Sequence, residues 1–219
     1  MRDAATVMLV RDGAQGLEVF MVRRSLRLVF AGGAHVFPGG AVDDADREIA
    51  EDSSMAFKVA AVRECFEEAG FLLAIDATGE LVRLDDPTTA ERFSRYRREI
   101  TNGQLSLADV CADEGLRLAV DGMHYVSRWI TPEGAPRRFD TRFFVGAAPE
   151  RQTPLHDAEE TIAHEWVRPA DVLARYRGGE VDLMTPTERS LEWLDGEASV
   201  ANVLAAAASS GPRGNYQRG

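Results

Sequence analysis

The feature that most constrains the fold is an amphipathic helix predicted over residues 53–69. Apolar side chains recur there at three- and four-residue spacing, so they share one stripe of a helix with 3.6 residues per turn. The stripe consists of Met55, Val59, Val62 and Phe66. Ser53 or Ser54 is suited to cap the helix start, and Gly70 is placed to end it. One face of this helix therefore has to pack into a core.

The opposite stripe of the same helix carries three glutamates, Glu64, Glu67 and Glu68. At spacings of one, three and four residues like charges repel, at a cost of a few tenths of a kcal/mol per pair unless a cation offsets them. A hard divalent ion such as Mg²⁺ prefers such oxygen ligands. An exposed acidic helix face accounts equally well for these residues when the helix is considered alone.

The residues before this helix predict a hairpin followed by irregular backbone. Apolar runs at residues 5–10 and 17–22 flank a polar, glycine-containing turn, which is typical of two paired strands. Pro38, Gly39 and Gly40 then interrupt regular structure and allow the backbone to approach a ligand. The polar stretch at residues 43–54 is predicted to be an irregular loop.

The rest of the chain predicts one α/β domain over residues 1–219, since no stretch has the composition of a linker. Two helices, 88–100 and 106–113, form a predicted peripheral insertion at about 76–115. Further predicted strands cover residues 71–75, 117–120, 125–130, 138–147 and 162–167. Further predicted helices cover residues 169–176, 186–194 and 199–208. The tail, 209–219, is predicted to be flexible.

Charge and composition narrow the classes of partner. A net charge of -11 repels a phosphate backbone, so nucleic acid is not expected as a partner. No apolar run is long enough to span a bilayer, and the first residues lack the regions of a secretory signal, so a soluble cytoplasmic protein without a membrane partner is expected. Cys65 and Cys111 are expected to be reduced packing residues.

Pro38-Gly39-Gly40 followed by Arg63-Glu64-Cys65-Phe66-Glu67-Glu68-Ala69-Gly70-Phe71 resembles the Nudix signature, GX5EX7REUXEEXGU. The second half of the signature matches position for position. The first half departs from it, because Gly40 and Arg63 are nine residues further apart than in the signature. Asp46 has the nominal distance from Gly40 and Met55 has the nominal distance from Arg63, so the first glutamate of the signature has no unambiguous equivalent.

The resemblance implies an α/β/α sandwich with a mixed sheet, here with a helical insertion, and a diphosphatase that uses Mg²⁺ or Mn²⁺. Glu67 and Glu68 would be the principal metal ligands, and Glu64 would be a ligand or the proton acceptor. Arg63 would orient a glutamate, and the carbonyl of Gly40 would bind metal. These five positions are the expected catalytic and metal-binding set.

A further metal ligand is expected before the strand that contains Trp166. Family members often carry an acidic residue there, which reaches the metals from the opposite side. Glu160 is the first choice and Glu159 is nearly as good, because the register of the strand decides which of the two faces the site. The four histidines lack the spacing of a zinc site and are interpreted as structural.

Flanking residues narrow the resemblance to the coenzyme A diphosphatase branch. The segments that carry it are 19–25, 35–43, 129–132 and 137–144. Coenzyme A or acyl-coenzyme A is the leading substrate. The alternative substrates are ADP-ribose, NADH and nucleoside triphosphates. The alternative to an enzyme is a non-catalytic, nucleotide-sensing Nudix domain. Homodimers are frequent in the family, so a homodimer stays open. The predicted substrate-binding residues are Arg23, Arg24, Gly39 and Arg138, and Arg27, Arg137 and Arg142 are further candidates for phosphate contact.

Overall fold

A computed structural model describes residues 1–24, 33–154, 161–210 and 215–216. Ten strands occur in this part of the chain: β1 (Arg2–Gly13), β2 (Gly16–Arg24), β3 (His35–Val36), β4 (Gly39–Ala41), β5 (Ala74–Ile75), β6 (Arg117–Leu118), β7 (His124–Ile130), β8 (Phe139–Ala147), β9 (Thr161–Val167) and β10 (Asn215–Tyr216). Seven helices accompany them: α1 (Asp44–Ile49), α2 (Ser53–Ala69), α3 (Pro87–Thr101), α4 (Leu107–Glu114), α5 (Pro169–Arg177), α6 (Thr185–Asp195) and α7 (Val200–Ser210).

A mixed sheet forms the centre of the molecule. The strand order is β10-β7-β8-β1-β2-β3, with β4 paired to β1 and β9 paired to β2. The pairs β1–β8 and β7–β10 are parallel, whereas the hairpin β1–β2 and the other pairs are antiparallel. The hairpin predicted from the two apolar runs is therefore confirmed.

Both faces of this sheet are covered, because its strands alternate between two cores. Val7 and Phe20 point into the core that contains α2, whereas Met8 and Met21 point into the core that contains Val172 and its neighbours on α5, α6 and α7. Alternation along a strand sends successive side chains to opposite faces, so both faces read as apolar. The expected α/β/α sandwich is confirmed.

Helix α2 has the predicted limits but a different cap. Asp52 starts the helix, since its carboxylate accepts hydrogen bonds from the backbone N–H groups of Ser54 and Met55. Gly70 ends it in the left-handed conformation at φ 76°, and its N–H donates to the carbonyl of Phe66. Residues on almost every side of α2 are buried, so the glutamate face is not an open acidic surface.

Three local predictions differ from the structure. Residues 44–49 form α1, where an irregular loop was predicted, because Asp43 and Asp46 cap it reciprocally through their side chains and backbone N–H groups. The predicted strands at 71–75 and 117–120 shrink to β5 and β6. Where the sequence predicted a flexible tail, residues 209–210 end α7 and β10 pairs with β7, while the rest of that tail lies outside the described residues.

The helical insertion is part of the core. Helices α3 and α4 contribute buried side chains to the same cluster as α2. These side chains are Phe93, Tyr96, Ile100, Leu107 and Val110. The segment that was predicted to be peripheral therefore packs in the same core as α2. Because α2 carries Glu64, Glu67 and Glu68, it is called the glutamate helix below. In the described part of the chain, no helix is long and apolar enough to cross a membrane.

Candidate active site

Arg63 is the centre of the site. Its side chain is 11% exposed. Nε and Nη2 each donate to one carboxylate oxygen of Asp46 at 3.0 Å, and Nη1 donates to Glu64 at 3.0 Å and to Glu67 at 2.7 Å. Nη2 also donates to the carbonyl of Ala41. Burial by itself lowers the pKa of Arg63, but these carboxylates outweigh it and raise the pKa, so the guanidinium stays charged.

Asp46 takes the position that the sequence left ambiguous. It lies on α1, its side chain is 1% exposed, and it binds Arg63 through both oxygens. Burial raises the pKa of Asp46, while the hydrogen bonds from Arg63 lower it. Met55, the alternative, packs at the start of α2 against the hydrophobic core. The contact with Arg63 therefore favours Asp46 over Met55 as the counterpart of the first glutamate, in agreement with its spacing from Gly40.

Glu64 lies against the glycine of strand β4. A Cβ atom at Gly40 would stand 2.3 Å from the carboxyl carbon of Glu64, so no other residue fits there without moving the glutamate. Burial raises the pKa of Glu64 to about 7; Arg63 opposes this shift and Glu67 adds to it. The missing side chain of Gly40 thus lets the carboxylate of Glu64 lie against β4, and the metal-binding role of the Gly40 carbonyl stays a prediction.

Glu68 is held by the other glycine. The N–H of Gly39 donates to Oε2 of Glu68 at 3.0 Å. A Cβ atom at Gly39 would meet the carbonyl oxygen of Ala5 at 2.4 Å, because β4 pairs closely with β1. The amide of Gly39 is therefore committed to a carboxylate in this arrangement, and its predicted contact with substrate stays a prediction.

Arg97 is a site residue that sequence reasoning missed. It lies on α3, is buried, and its Nε donates to the carbonyl of Glu67 at 2.7 Å while Nη2 lies 3.4 Å from the carbonyl of Glu68. A cation at the last turn of a helix satisfies unpaired carbonyls and opposes the negative end of the helix dipole. Nothing in the local sequence marks this role, since Arg97 follows Glu67 by 30 positions.

The cluster has more negative than positive groups. Asp46, Glu64 and Glu67 all bind Arg63, and Glu68, which accepts from the N–H of Gly39, adds a fourth carboxylate. Within the described ranges, no three acidic, histidine or cysteine side chains already converge at the distances that one ion requires. The donor chemistry nevertheless fits a hard divalent cation, because every donor is an oxygen and the excess charge is negative.

Strand β2 does not bring Arg23 to the glutamates. Arg23 is exposed, pairs in register with His35, and has its Nε 3.4 Å from the carbonyl of Gly33. Strand alternation places it on the face of Met21, opposite the face that packs under α2. Arg24 pairs through its backbone with β9, and its side chain lies outside the described residues. Both substrate roles stay predictions.

Arg138 likewise makes none of its described contacts with the glutamates. Nε of Arg138 donates to the carbonyl of Thr131 at 3.1 Å, within the turn between β7 and β8. Glu159 and Glu160 lie outside the described residues. Among the further arginines, Arg142 lies over the ring of Phe57 on α2, at 3.8 Å from its centroid. Arg142 of β8 therefore contacts α2, the helix that carries the three glutamates.

Residues 48–192, well over half of the chain, match the family model of the NUDT19 Nudix domain. The chain belongs to the Nudix hydrolase family. A crystal structure of a Nudix hydrolase from Alicyclobacillus acidocaldarius is 31% identical, covers 94% of this chain and 96% of that one, and superposes with a TM-score of 0.83. A Nudix domain of Shewanella oneidensis NrtR, 13% identical over 88% of this chain and 84% of that one with a TM-score of 0.51, shares the fold alone.

Curated relatives carry an activity in their names. The human acyl-coenzyme A diphosphatase NUDT19 is 26% identical over 87% of this Nudix chain and 64% of its own length. The chicken protein of the same name is 26% identical over 84% of this chain and 65% of its own length. The chain thus spans less than two thirds of the curated relatives it resembles, so their activity is a hypothesis for this protein.

Proposed function

We propose that the chain hydrolyses the diphosphate linkage of coenzyme A or acyl-coenzyme A in a reaction that requires Mg²⁺ or Mn²⁺. The observation that carries this proposal is the set Glu64, Glu67 and Glu68 on one helix, in which Glu64 and Glu67 bind the buried Arg63 and Glu68 accepts from the N–H of Gly39. The products would be 4′-phosphopantetheine, or its acyl form, and adenosine 3′,5′-bisphosphate. The names of the curated relatives support this choice of substrate.

Each residue has a distinct part in the proposed reaction. Glu67 and Glu68 would hold the cation, with Glu64 and the carbonyl of Gly40 beside them. A bound divalent cation would neutralise the diphosphate and lower the pKa of an attacking water. Glu64 would be the proton acceptor, because burial raises its pKa to about 7 and so makes its carboxylate a stronger base than an exposed glutamate. Arg63 holds Glu64 and Glu67 in place.

Further predictions belong to the same proposal. The absence of a nucleic-acid partner rests on the net charge of -11, and a cytoplasmic location stays a prediction. A homodimer stays open. Glu160 remains the predicted acid from the opposite side of the site.

The test is a substrate panel with resolved products. The purified chain is incubated with Mg²⁺ or Mn²⁺ and coenzyme A, acetyl-coenzyme A, ADP-ribose, NADH and nucleoside triphosphates, and the products are identified by mass. Cleavage of the coenzyme A compounds into the two expected phosphates, lost in Glu68→Gln, is the expected result. Preference for another compound would replace the substrate, and binding without cleavage of any compound would favour a nucleotide-sensing domain.

A further inference from the structure

A cavity of about 350 Å³ lies directly beside the glutamate helix. Its volume falls at the lower end of the range for small-molecule sites, roughly 300–1,000 Å³, so it suits one arm of a large substrate. Arg63 and Glu67 of α2 form part of its wall. The cavity therefore shares Arg63 and Glu67 with the proposed reaction centre and extends away from Glu64 and Glu68, which do not line it.

Two segments meet in the cavity: the lengthened stretch between Gly40 and Arg63, and the helical insertion that contains α3 and α4. One wall comes from α1, which lies in the lengthened segment between Gly40 and Arg63, and the other comes from the turn between α3 and α4. The apolar lining is Ala45, Ile49, Ile100, Leu105 and Leu107. The glutamate helix alone would leave its side open here, so the two segments together create an enclosure beside Glu67.

The charge of the lining selects what can enter. Asp43, Asp46, Glu67 and Asp109 contribute carboxylates, and Arg63 contributes the only cationic side chain among the cavity residues. Arg63 is already bound to Asp46 and Glu67. An anionic group would be repelled at short range in this partly buried space. A neutral group with amide N–H donors and an apolar stem fits both the carboxylates and the aliphatic side chains.

The proposed substrate has one half of that kind. On one side of the diphosphate lies an adenosine with an additional phosphate, and on the other lies the uncharged pantetheine arm with its two amides. We propose that the cavity between α1, α2 and the α3–α4 turn is the binding site for the pantetheine or acyl-pantetheine arm. This assignment rests on the proposed function. It places the adenosine bisphosphate half on the other side of Glu67, away from Asp109.

The experiment fills the cavity without touching the glutamates. Leu105→Trp replaces a partly buried wall residue, and Gln104→Trp adds the same bulk from an exposed wall position in case the first variant folds poorly. Ala112→Trp is the matched control, since Ala112 is exposed on α4 and does not line the cavity. Binding of pantetheine and of adenosine 3′,5′-bisphosphate is measured separately by saturation-transfer NMR, beside the KM and kcat for coenzyme A.

The assignment predicts that the unsubstituted chain binds both halves. Both filling variants should lose pantetheine binding, keep the bisphosphate, and raise the KM for coenzyme A by about tenfold with little change in kcat. The control should behave as the unsubstituted chain. Pantetheine binding that is absent at the start, or that survives in both filled variants, would overturn the assignment. Pantetheine binding that is lost on filling, in a chain that never cleaves coenzyme A, would uphold the site and reject the proposed reaction.

Discussion

Arg63 and Arg128 each bind one carboxylate through Nε and Nη2, and their surroundings differ. Arg128 on β7 binds Asp140 on β8, one cation to one anion, and the Arg128 side chain is 36% exposed. Arg63 is more deeply buried and has carboxylate oxygens of four residues within 3.5 Å. These four residues are Asp43, Asp46, Glu64 and Glu67.

This difference in the number of carboxylates distinguishes a structural ion pair from a candidate active site. A balanced pair joins two neighbouring strands, and its charges need no further partner. A buried cluster with several anions and one cation costs stability, because each uncompensated carboxylate loses hydration without gaining a full partner. Clusters of like charge are therefore found preferentially at functional sites. The negative excess around Arg63 is what a divalent cation would neutralise.

The largest effect expected from this comparison is on turnover. Glu67→Gln and Glu68→Gln should each lower kcat at least about 100-fold, since groups that act on developing charge contribute roughly that much. The thermal midpoint should change little, because each substitution also removes like-charge repulsion within the cluster. Steady-state kinetics and thermal unfolding of the same preparations measure both.

A matched control for these variants is Glu192→Gln, in an exposed pair with Arg189 on α6. It removes the same charge outside the cluster and should leave turnover unchanged. Normal turnover in both cluster variants would reject the assignment of Glu67 and Glu68.

The next largest effect is on stability. Arg63→Met leaves Asp46 buried without its partner and should lower the free energy of unfolding by about 3–5 kcal/mol, the usual result of breaking a buried pair from one side. The double variant Arg63→Met/Asp46→Leu removes both members and should recover part of that loss without recovering activity. Urea unfolding measures all three proteins. A double variant no more stable than Arg63→Met would show that this pair is not what Arg63 stabilises.

The smallest effect concerns the balanced pair and its dependence on pH. The hydrogen bonds from Arg128 hold the pKa of Asp140 below its usual value. A carboxyl whose pKa is lower in the folded state contributes stability above its unfolded pKa, and loses it as the pH falls through the folded value. Asp140→Asn should therefore cost no more than about 1 kcal/mol near neutral pH, and this difference should shrink below about pH 4.

The measurement is the free energy of urea unfolding of both proteins between pH 7 and pH 3, with kcat measured at neutral pH. Turnover should be unchanged, because Asp140 has no contact with the glutamate cluster among its hydrogen bonds in the described part of the chain. A difference in stability that stays constant below pH 4 would mean that the carboxyl does not carry the effect.

The sequence alone determined the parts of this protein that depend on local spacing. The limits of α2, its end at Gly70 and the placement of Glu64, Glu67 and Glu68 follow from helical periodicity and from one residue's tolerance of positive φ. The hairpin β1–β2 follows from two apolar runs around a turn. Helix α1 escaped this reasoning because it is six residues long and is held by aspartates that cap each other.

Tertiary structure decided the parts that depend on distant residues. Asp46, not Met55, binds Arg63 across 17 positions; Arg97 reaches the carbonyls of Glu67 and Glu68; and the cavity joins α1 to the α3–α4 turn. Periodicity fixes which face of a helix a side chain occupies, but the partner of that side chain is set by how the layers pack. The contribution of a buried charge to stability therefore depends on the folded chain, because desolvation is costly wherever the fold supplies no partner.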